Sequence, residues 1–348
     1  MVNKKIWKKA LVKNNAKIKN VIKNLNHTGF QITLIVSSNG KLVGTVTDGD
    51  IRRGLLKGLD FNSPINSIMN INPMVAPQKI KKKDAIQLMK SNKIYHLPLV
   101  NKSHHVVDMF FLNESEIAAN LSNTFVIMAG GEGKRLYPLT KNTPKPLLKV
   151  GNKPILEHII ERAKLQGFKN FIISVNYLAD KIIKYFGDGS KWHVNINYLK
   201  EKSPLGTAGA LSLLKPKPNN CFLVTNGDVL TEINYSELIN FHSLHKAKAT
   251  MAVQVYESQQ PYGVVKTDGI KLVGFEEKPI SRSHINAGIY VFEPTVLNHL
   301  ANNQNCDIPA LFNQLQKYKK RTIVYPIHET WLDLGRINDF KKAQKILT

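Results

Sequence analysis

From Thr124 onward, short apolar runs alternate with amphipathic stretches of helical length, and this alternation demands a parallel α/β sheet with helices packed on its faces. The spacing predicts strands near 124–129, 170–176, 194–199, 221–227, 249–256 and 285–292. Helices are predicted near 154–166, 178–186, 207–214, 236–246 and 308–319. One excursion interrupts the pattern: YGVVKTDGIKLVGFEEKP reads as two strands turning at Asp268–Gly269.

The first 120 residues follow a different rule, an internal repeat at an offset of 64. Val21, Ile22 and Leu25 recur as Ala85, Ile86 and Met89 at helical spacing. Ile35 and Val36 recur as Leu99 and Val100, and Leu42 and Val43 as Val106 and Val107, in strand-like pairs. Each copy reads as helix, strand, turn, strand and helix, with turns at SSNG (37–40) and NKSHH (101–105). Neither copy buries its sheet face alone, so the two are expected to pack on each other. A polar stretch at 113–123 precedes the strand TFVIMAGG, which divides the chain into domains at 1–120 and 124–348.

Composition narrows the function classes. A chain of 348 residues with 43% hydrophobic content has material for two cores. No run reaches the roughly 18 apolar residues of a membrane span, and the N-terminus lacks the apolar block of a secretory signal. Cys221 and Cys306 stand far apart, which excludes a disulfide scaffold and points to a reducing, cytoplasmic setting. The net charge of +24 suggests nucleic acid, but it comes from 42 lysines and only 7 arginines. Specific nucleic-acid contacts lean on arginine forks, so the excess reads as a lysine-biased surface without a specific nucleic-acid partner. Residues 1–47 carry nine lysines and no acid, which leaves a weak affinity for anionic surfaces open at that end.

The richest segment is MAGGEGKRLYPLTKNTPKPLLKVGNKPIL, residues 128–156. An apolar strand runs into Gly130, Gly131 and Gly133, whose bare backbones let N–H groups approach a polyphosphate. Arg135 and Lys145 follow as phosphate-neutralising cations, and Pro138, Pro144, Pro146 and Pro154 stiffen the segment. The phosphate loop of the NTPases, Gly-x-x-x-x-Gly-Lys-Ser/Thr, is absent. The dinucleotide fingerprint also fails, because Leu136 stands where its third glycine belongs.

The string GGEGKRLYPLT…PKPLLKV…KPIL resembles the signature of the sugar nucleotidyltransferases, followed in order by LGTAGAL, TNGDV, FEEKP, NAGIYVF and WLDLG. The resemblance covers residues 124–348 and implies a Rossmann-like, mixed but mainly parallel sheet. It also implies a magnesium-dependent attack of a sugar 1-phosphate on the α-phosphorus of a nucleoside triphosphate. Such chemistry needs alignment and charge neutralisation rather than a covalent nucleophile. By the same resemblance Arg135 grips the β- and γ-phosphates, and Lys145 serves the α-phosphate and the incoming sugar phosphate. Asp228 and Asp333 are the implied Mg²⁺ ligands, although Arg336 stands where the family commonly has threonine. Lys278 is implied at the sugar phosphate, with Glu277, Gly263 and Asn286 around the sugar. Met128, Gly130 and Gly206 are expected to border the base.

Glu201 lies five residues before Gly206, where relatives using uridine or thymidine tend to carry glutamine. Guanine presents N1–H and N2–H side by side, which suits an acceptor-only carboxylate, whereas uracil has acceptors on both sides of its N3–H. GTP is therefore the expected nucleotide.

The repeated region resembles a tandem pair of CBS domains, an α+β module that often binds adenosine nucleotides and often associates into oligomers. The resemblance implies Thr47 and Asp50 as ribose and phosphate contacts in the first copy. The second copy has Phe111 in the threonine position and Glu114 in that of the aspartate. A docking module without a ligand stays open. Two such repeats ahead of this catalytic part are similar to a guanylyltransferase type that acts on glucosamine 1-phosphate in bacterial legionaminic acid synthesis, a surface-glycan precursor route. Mannose- or heptose-1-phosphate guanylyl transfer, UTP-dependent uridylyl transfer and a non-catalytic nucleotide sensor are the alternatives.

Overall fold

A computed structural model describes residues 6–92, 94–112 and 121–347, and it divides into two compact units, each described by itself. The first comprises Met1–Leu121 with Leu165–Gly167, and the second Ser122–Lys164 with Phe168–Thr348.

The first unit holds two three-stranded sheets. One is built from β1 (Leu11–Lys13), β2 (Ile32–Val36) and β3 (Leu42–Thr47), the other from β4 (Ala76–Pro77), β5 (His96–Val100) and β6 (Val106–Phe111). The 64-residue offset maps β2 onto β5, β3 onto β6 and the helix Ile18–Thr28 onto Lys82–Ser91. β1 and β4 each add a parallel strand that the sequence reading did not contain, because two or three residues carry too little periodicity to register. Successive side chains of β2 face opposite ways. Ile35 packs with Val21, Leu25 and Val46 inside the first copy, while Ile32 and Leu34 join Met109, Val100 and Phe111 of the second. The two copies thus bury a shared core, as expected of repeats that cannot cover their own sheets.

The second unit is built on a seven-stranded sheet in the order β11-β10-β7-β12-β17-β14-β18. Its strands are β7 (Leu121–Met128), β10 (Phe168–Val175), β11 (Asn195–Lys200), β12 (Phe222–Asn226), β14 (Ala249–Gln259), β17 (Ile280–Phe292) and β18 (Thr322–Ile327). The short pairs are β8 (Lys149–Val150) with β9 (Lys153–Pro154), β13 (Val229–Thr231) with β19 (Trp331–Asp333), and β15 (Val264–Asp268) with β16 (Lys271–Glu276). β7/β12, β10/β11 and β14/β18 run parallel, and β17 alone lies antiparallel between β12 and β14. The sheet is therefore mixed and mainly parallel.

β7 is central because Phe125, Val126 and Ile127 are all fully buried, as a strand covered on both faces requires. On one face Phe125 meets Phe168, Phe171 and Tyr235 at ring separations of 5.0, 5.4 and 5.0 Å. On the other, Val126 packs with Phe222, Val224, Phe292 and the apolar stripe Ile308, Leu311, Phe312 and Leu315 of the helix Ile308–Lys317. The hairpin excursion turns at Asp268–Gly269 as read from sequence. β18 and the helix Ile337–Leu347 are the second unit's main unforeseen elements. The expected helix at 207–214 is one α-turn, Gly206–Gly209, running into a 3₁₀ turn, Ala210–Leu213.

Phe125→Ala removes the ring on which three other aromatic groups converge. It should destabilise the second unit by about 3–5 kcal/mol, read as a lower urea midpoint for its unfolding transition.

Candidate active site

β7 and β12 end side by side, with Asn226 opposite Met128, and their C-terminal ends open into a cavity of about 330 Å³. This is the edge at which open α/β sheets bind ligands. Three glycines set its walls by leaving out a side chain. A Cβ on Gly130 would stand 2.7 Å from Glu201 Oε1, and one on Gly227 2.8 Å from the Met128 carbonyl oxygen. Gly133 sits in the left-handed region at φ 66°, where a Cβ would also press on Lys145 Cβ at 3.1 Å. The cradle read from the sequence is thus a backbone surface. Met128, Gly130, Gly131, Gly133, Glu201 and Gly206 all line the cavity.

Glu201 is held from two sides. The Ser174 hydroxyl donates to Oε1 at 2.7 Å and the Leu205 N–H to Oε2 at 3.0 Å. Each carboxylate oxygen accepts more than one hydrogen bond, so this fixed group keeps acceptor capacity for a ligand. Gly206 adopts φ 75°, and a Cβ there would collide with the Cys306 carbonyl oxygen at 2.7 Å.

Lys145, also in the lining, forms an ion pair with Asp228, both largely withdrawn from solvent. Asp333 is delivered next to them by β19, which pairs antiparallel with β13 so that Asp333 lies opposite Val229. The Leu334 N–H donates to the Asp228 carbonyl at 3.0 Å, and Asp333 Oδ1 accepts from the Gly335 N–H at 2.9 Å. The Asp333 carboxyl is raised above the usual range, first by lost solvent and then by the charge of Asp228, while Lys145 pulls it down. Two hard carboxylates that repel each other beside a phosphate-sized cradle make a donor set that fits Mg²⁺.

The other expected residues are placed elsewhere. Arg135 is exposed on the turn Lys134–Leu136 that follows Gly133 and does not line the cavity. Gly263, Glu277 and Lys278 come together at the base of the hairpin, where a Cβ on Gly263 would stand 2.9 Å from Glu277 Oε2. Lys278 Nζ lies 3.9 Å from Glu277 Oε1. Asn286 Oδ1 accepts from the Gly288 N–H and the Tyr290 hydroxyl, both at 2.9 Å. In the first unit, Thr47 and Asp50 close a capping box on the helix Asp48–Leu56, and Arg53 pairs with Asp50 at 2.5 Å. Glu114 lies outside the described residues. Asn226, Thr207 and Asp307 also line the cavity and were not read as site residues. Asn226 stands inside the TNGD string that carried Asp228, so a signal existed; Asp307 lies in no motif.

Residues 124–348 match the family model described as nucleotidyl transferase, and residues 8–57 match that of the CBS domain. A mannose-1-phosphate guanyltransferase of Yarrowia lipolytica is 34% identical over 223 residues, covering 62% of this chain and 61% of its own length. The mannose-1-phosphate guanylyltransferase catalytic subunit beta of Drosophila melanogaster is 35% identical over 224 residues, covering 62% and 60%. The chain thus spans about three fifths of the length of these curated relatives. Among solved structures, a putative glucose-1-phosphate thymidylyltransferase from Bacillus anthracis superposes with a TM-score of 0.54 at 25% identity, over 64% of this chain and 94% of that one. HddC from Yersinia pseudotuberculosis, solved with GMP-PN, shares the fold with a TM-score of 0.51 at 24% identity, over 65% and 100%.

The repulsion between the two carboxylates has a measurable sign. The raised Asp333 pKa means that the metal-free folded chain holds this proton more tightly than the unfolded chain does. That contribution to stability is present at low pH and lost as pH rises through the raised value. Asp333→Asn should therefore melt no lower than the parent at pH 7 in EDTA. The parent should gain melting temperature on adding Mg²⁺, and both Asp333→Asn and Asp228→Asn should lose that gain, as thermal scans with and without metal would show.

Proposed function

Because the chain belongs to the nucleotidyl transferase family, we propose that its second unit transfers guanylate from GTP to a sugar 1-phosphate and releases pyrophosphate. The observation that carries the reading is a glycine-walled cavity lined by Lys145, Asp228 and Glu201, with Asp333 set beside Asp228 by the β13/β19 pair. The charges sit where a triphosphate and a second phosphate would meet, and the carboxylate sits where a base would.

In this mechanism a sugar-phosphate oxygen attacks the α-phosphorus as the bond to the bridging oxygen of the β-phosphate breaks. Lys145 stands over the α-phosphate and offsets the charge that builds on its oxygens. Gly130, Gly131 and Gly133 let backbone N–H groups approach the phosphate chain. Arg135, on the turn after Gly133, is assigned to the β- and γ-phosphates and the departing pyrophosphate. When bound, Mg²⁺ held by Asp228 and Asp333 supplies charge neutralisation between the two anionic reactants. Lys278, Glu277, Gly263 and Asn286 are assigned to the sugar phosphate and its hydroxyls.

Guanine is favoured by the fixed acceptor at Glu201, and the relatives named as guanylyltransferases support it. Their names also favour mannose 1-phosphate as the acceptor, whereas the repeats ahead of the catalytic part favour glucosamine 1-phosphate. Four nucleoside triphosphates tested against a panel of sugar 1-phosphates decide both points. Pyrophosphate should appear fastest with GTP and stop on adding EDTA, and release independent of any sugar 1-phosphate would refute transfer. Glu201→Gln should move the GTP-to-UTP ratio of kcat/KM at least tenfold toward UTP, about one charge-assisted hydrogen bond.

For the first unit we propose an adenosine-nucleotide site at Thr47 and Asp50. AMP at a hundredfold excess over its Kd should stabilise the intact chain by about 2.7 kcal/mol. Thr47→Ala should lose that gain, and an unchanged melting curve for the parent would refute sensing.

A further inference from the structure

The helix Ile308–Lys317 begins at Asp307, a residue type that ordinarily caps a helix by accepting an N–H of the first turn through its own side chain. Here Asp307 makes no such bond. The Thr207 hydroxyl accepts the Ile308 N–H instead, at 3.0 Å, across 101 residues of sequence. The Asp307 carboxylate turns away from its own helix: Oδ1 accepts from the Thr207 N–H at 3.4 Å and lies 2.8 Å from the point at which a Gly206 Cβ would stand, on the cavity lining. A borrowed hydroxyl serves the helix, and the acid is presented to the ligand space.

Its position identifies what it can meet. Glu201 Oε2 accepts from Leu205 N–H on one side of the Gly206 turn, and Asp307 lies against Gly206 on the other. Two acceptor-only groups therefore stand at one turn of the cavity lining. Guanine carries three N–H hydrogens on one edge, one at N1 and two on the exocyclic amine. One carboxylate takes N1–H and the adjacent amine hydrogen in a side-by-side pair, which leaves the second amine hydrogen without a partner. We propose that Asp307 accepts that hydrogen and so makes the site selective for a purine bearing a 2-amino group. The proposal rests on the guanine reading and deepens it.

The test compares GTP with ITP, which differs from GTP only in lacking the 2-amino group. Binding to the full chain is measured by calorimetry for the parent, Asp307→Asn, Asp307→Ser and Glu201→Gln, with UTP as a further ligand. Asparagine and serine both cap helices, so either variant preserves the start of the helix, and a melting scan checks that it does. Both Asp307 variants should weaken GTP about tenfold, the loss of a hydrogen bond to a charged acceptor. ITP should change less than twofold, so that the gap between the two nucleotides closes. GTP and ITP weakening together, or neither weakening, would overturn the role of Asp307 while the guanine reading stands. A parent that binds UTP more tightly than GTP would overturn both, and Glu201→Gln reports on the other carboxylate separately.

Discussion

Two like charges held close together are the constraint on which the second unit turns. Asp228 ends one segment of chain and Asp333 another, and the β13/β19 pair fixes them in register so that neither backbone can retreat. Among the described residues Lys145 pairs with Asp228, and Asp333 keeps a raised pKa, first through lost solvent and then through the Asp228 charge. Such a site is built for more positive charge than the chain itself supplies. The glycine walls serve the same end. They bring main-chain dipoles close to where phosphates would lie, with no side chain between.

The sheet explains how residues so far apart in sequence reach one place. β7 and β12 are parallel neighbours, so the loops that follow them share an edge. Gly130 to Lys145 come from the first loop, Asn226 to Asp228 from the second, and Glu201 from the segment after β11. The cores on the two faces of β7 are aromatic on one side and largely aliphatic and Phe-rich on the other, and together they hold these loop origins rigid. Rigidity matters because alignment of two anions is most of what such a site contributes.

Much of this was legible in the sequence, for reasons tied to particular residues. The glycine string announced itself by spacing, and Lys145, Asp228 and Glu201 sat in or near strings whose order is similar to a known family. The central strands showed as apolar runs because burial on both faces leaves no room for polar residues. Less legible were features whose signal is spread over distance. Asp307 carried no signal, since nothing local in the sequence says that the Thr207 hydroxyl accepts the first N–H of its helix. The helix expected at 207–214 is α-helical for one turn only, Gly206–Gly209, whose first-turn N–H groups at Ala208 and Gly209 bond to the distant Cys306 carbonyl. Gly263, Glu277 and Lys278 fell at the base of the hairpin, Asn286 on β17 and Arg135 on an exposed turn, and none of them, nor Asp333, belongs to the cavity lining.

The contact between Gly206 and the Cys306 carbonyl carries a consequence for how proteins of this architecture can diversify. The segment from Glu293 to Asp307 joins β17 to the helix Ile308–Lys317 and is anchored in the core by Val296 and Leu297 of the 3₁₀ turn Pro294–His299. Here its far end is pressed against a turn with no space for a methyl group. Lengthening or shortening that connection beyond its anchored turn would shift the rim of the cavity while leaving most of its lining residues unchanged. The shape of the cleft in such a scaffold can therefore drift through loop length, at positions that a comparison of the cleft's own residues would not reveal.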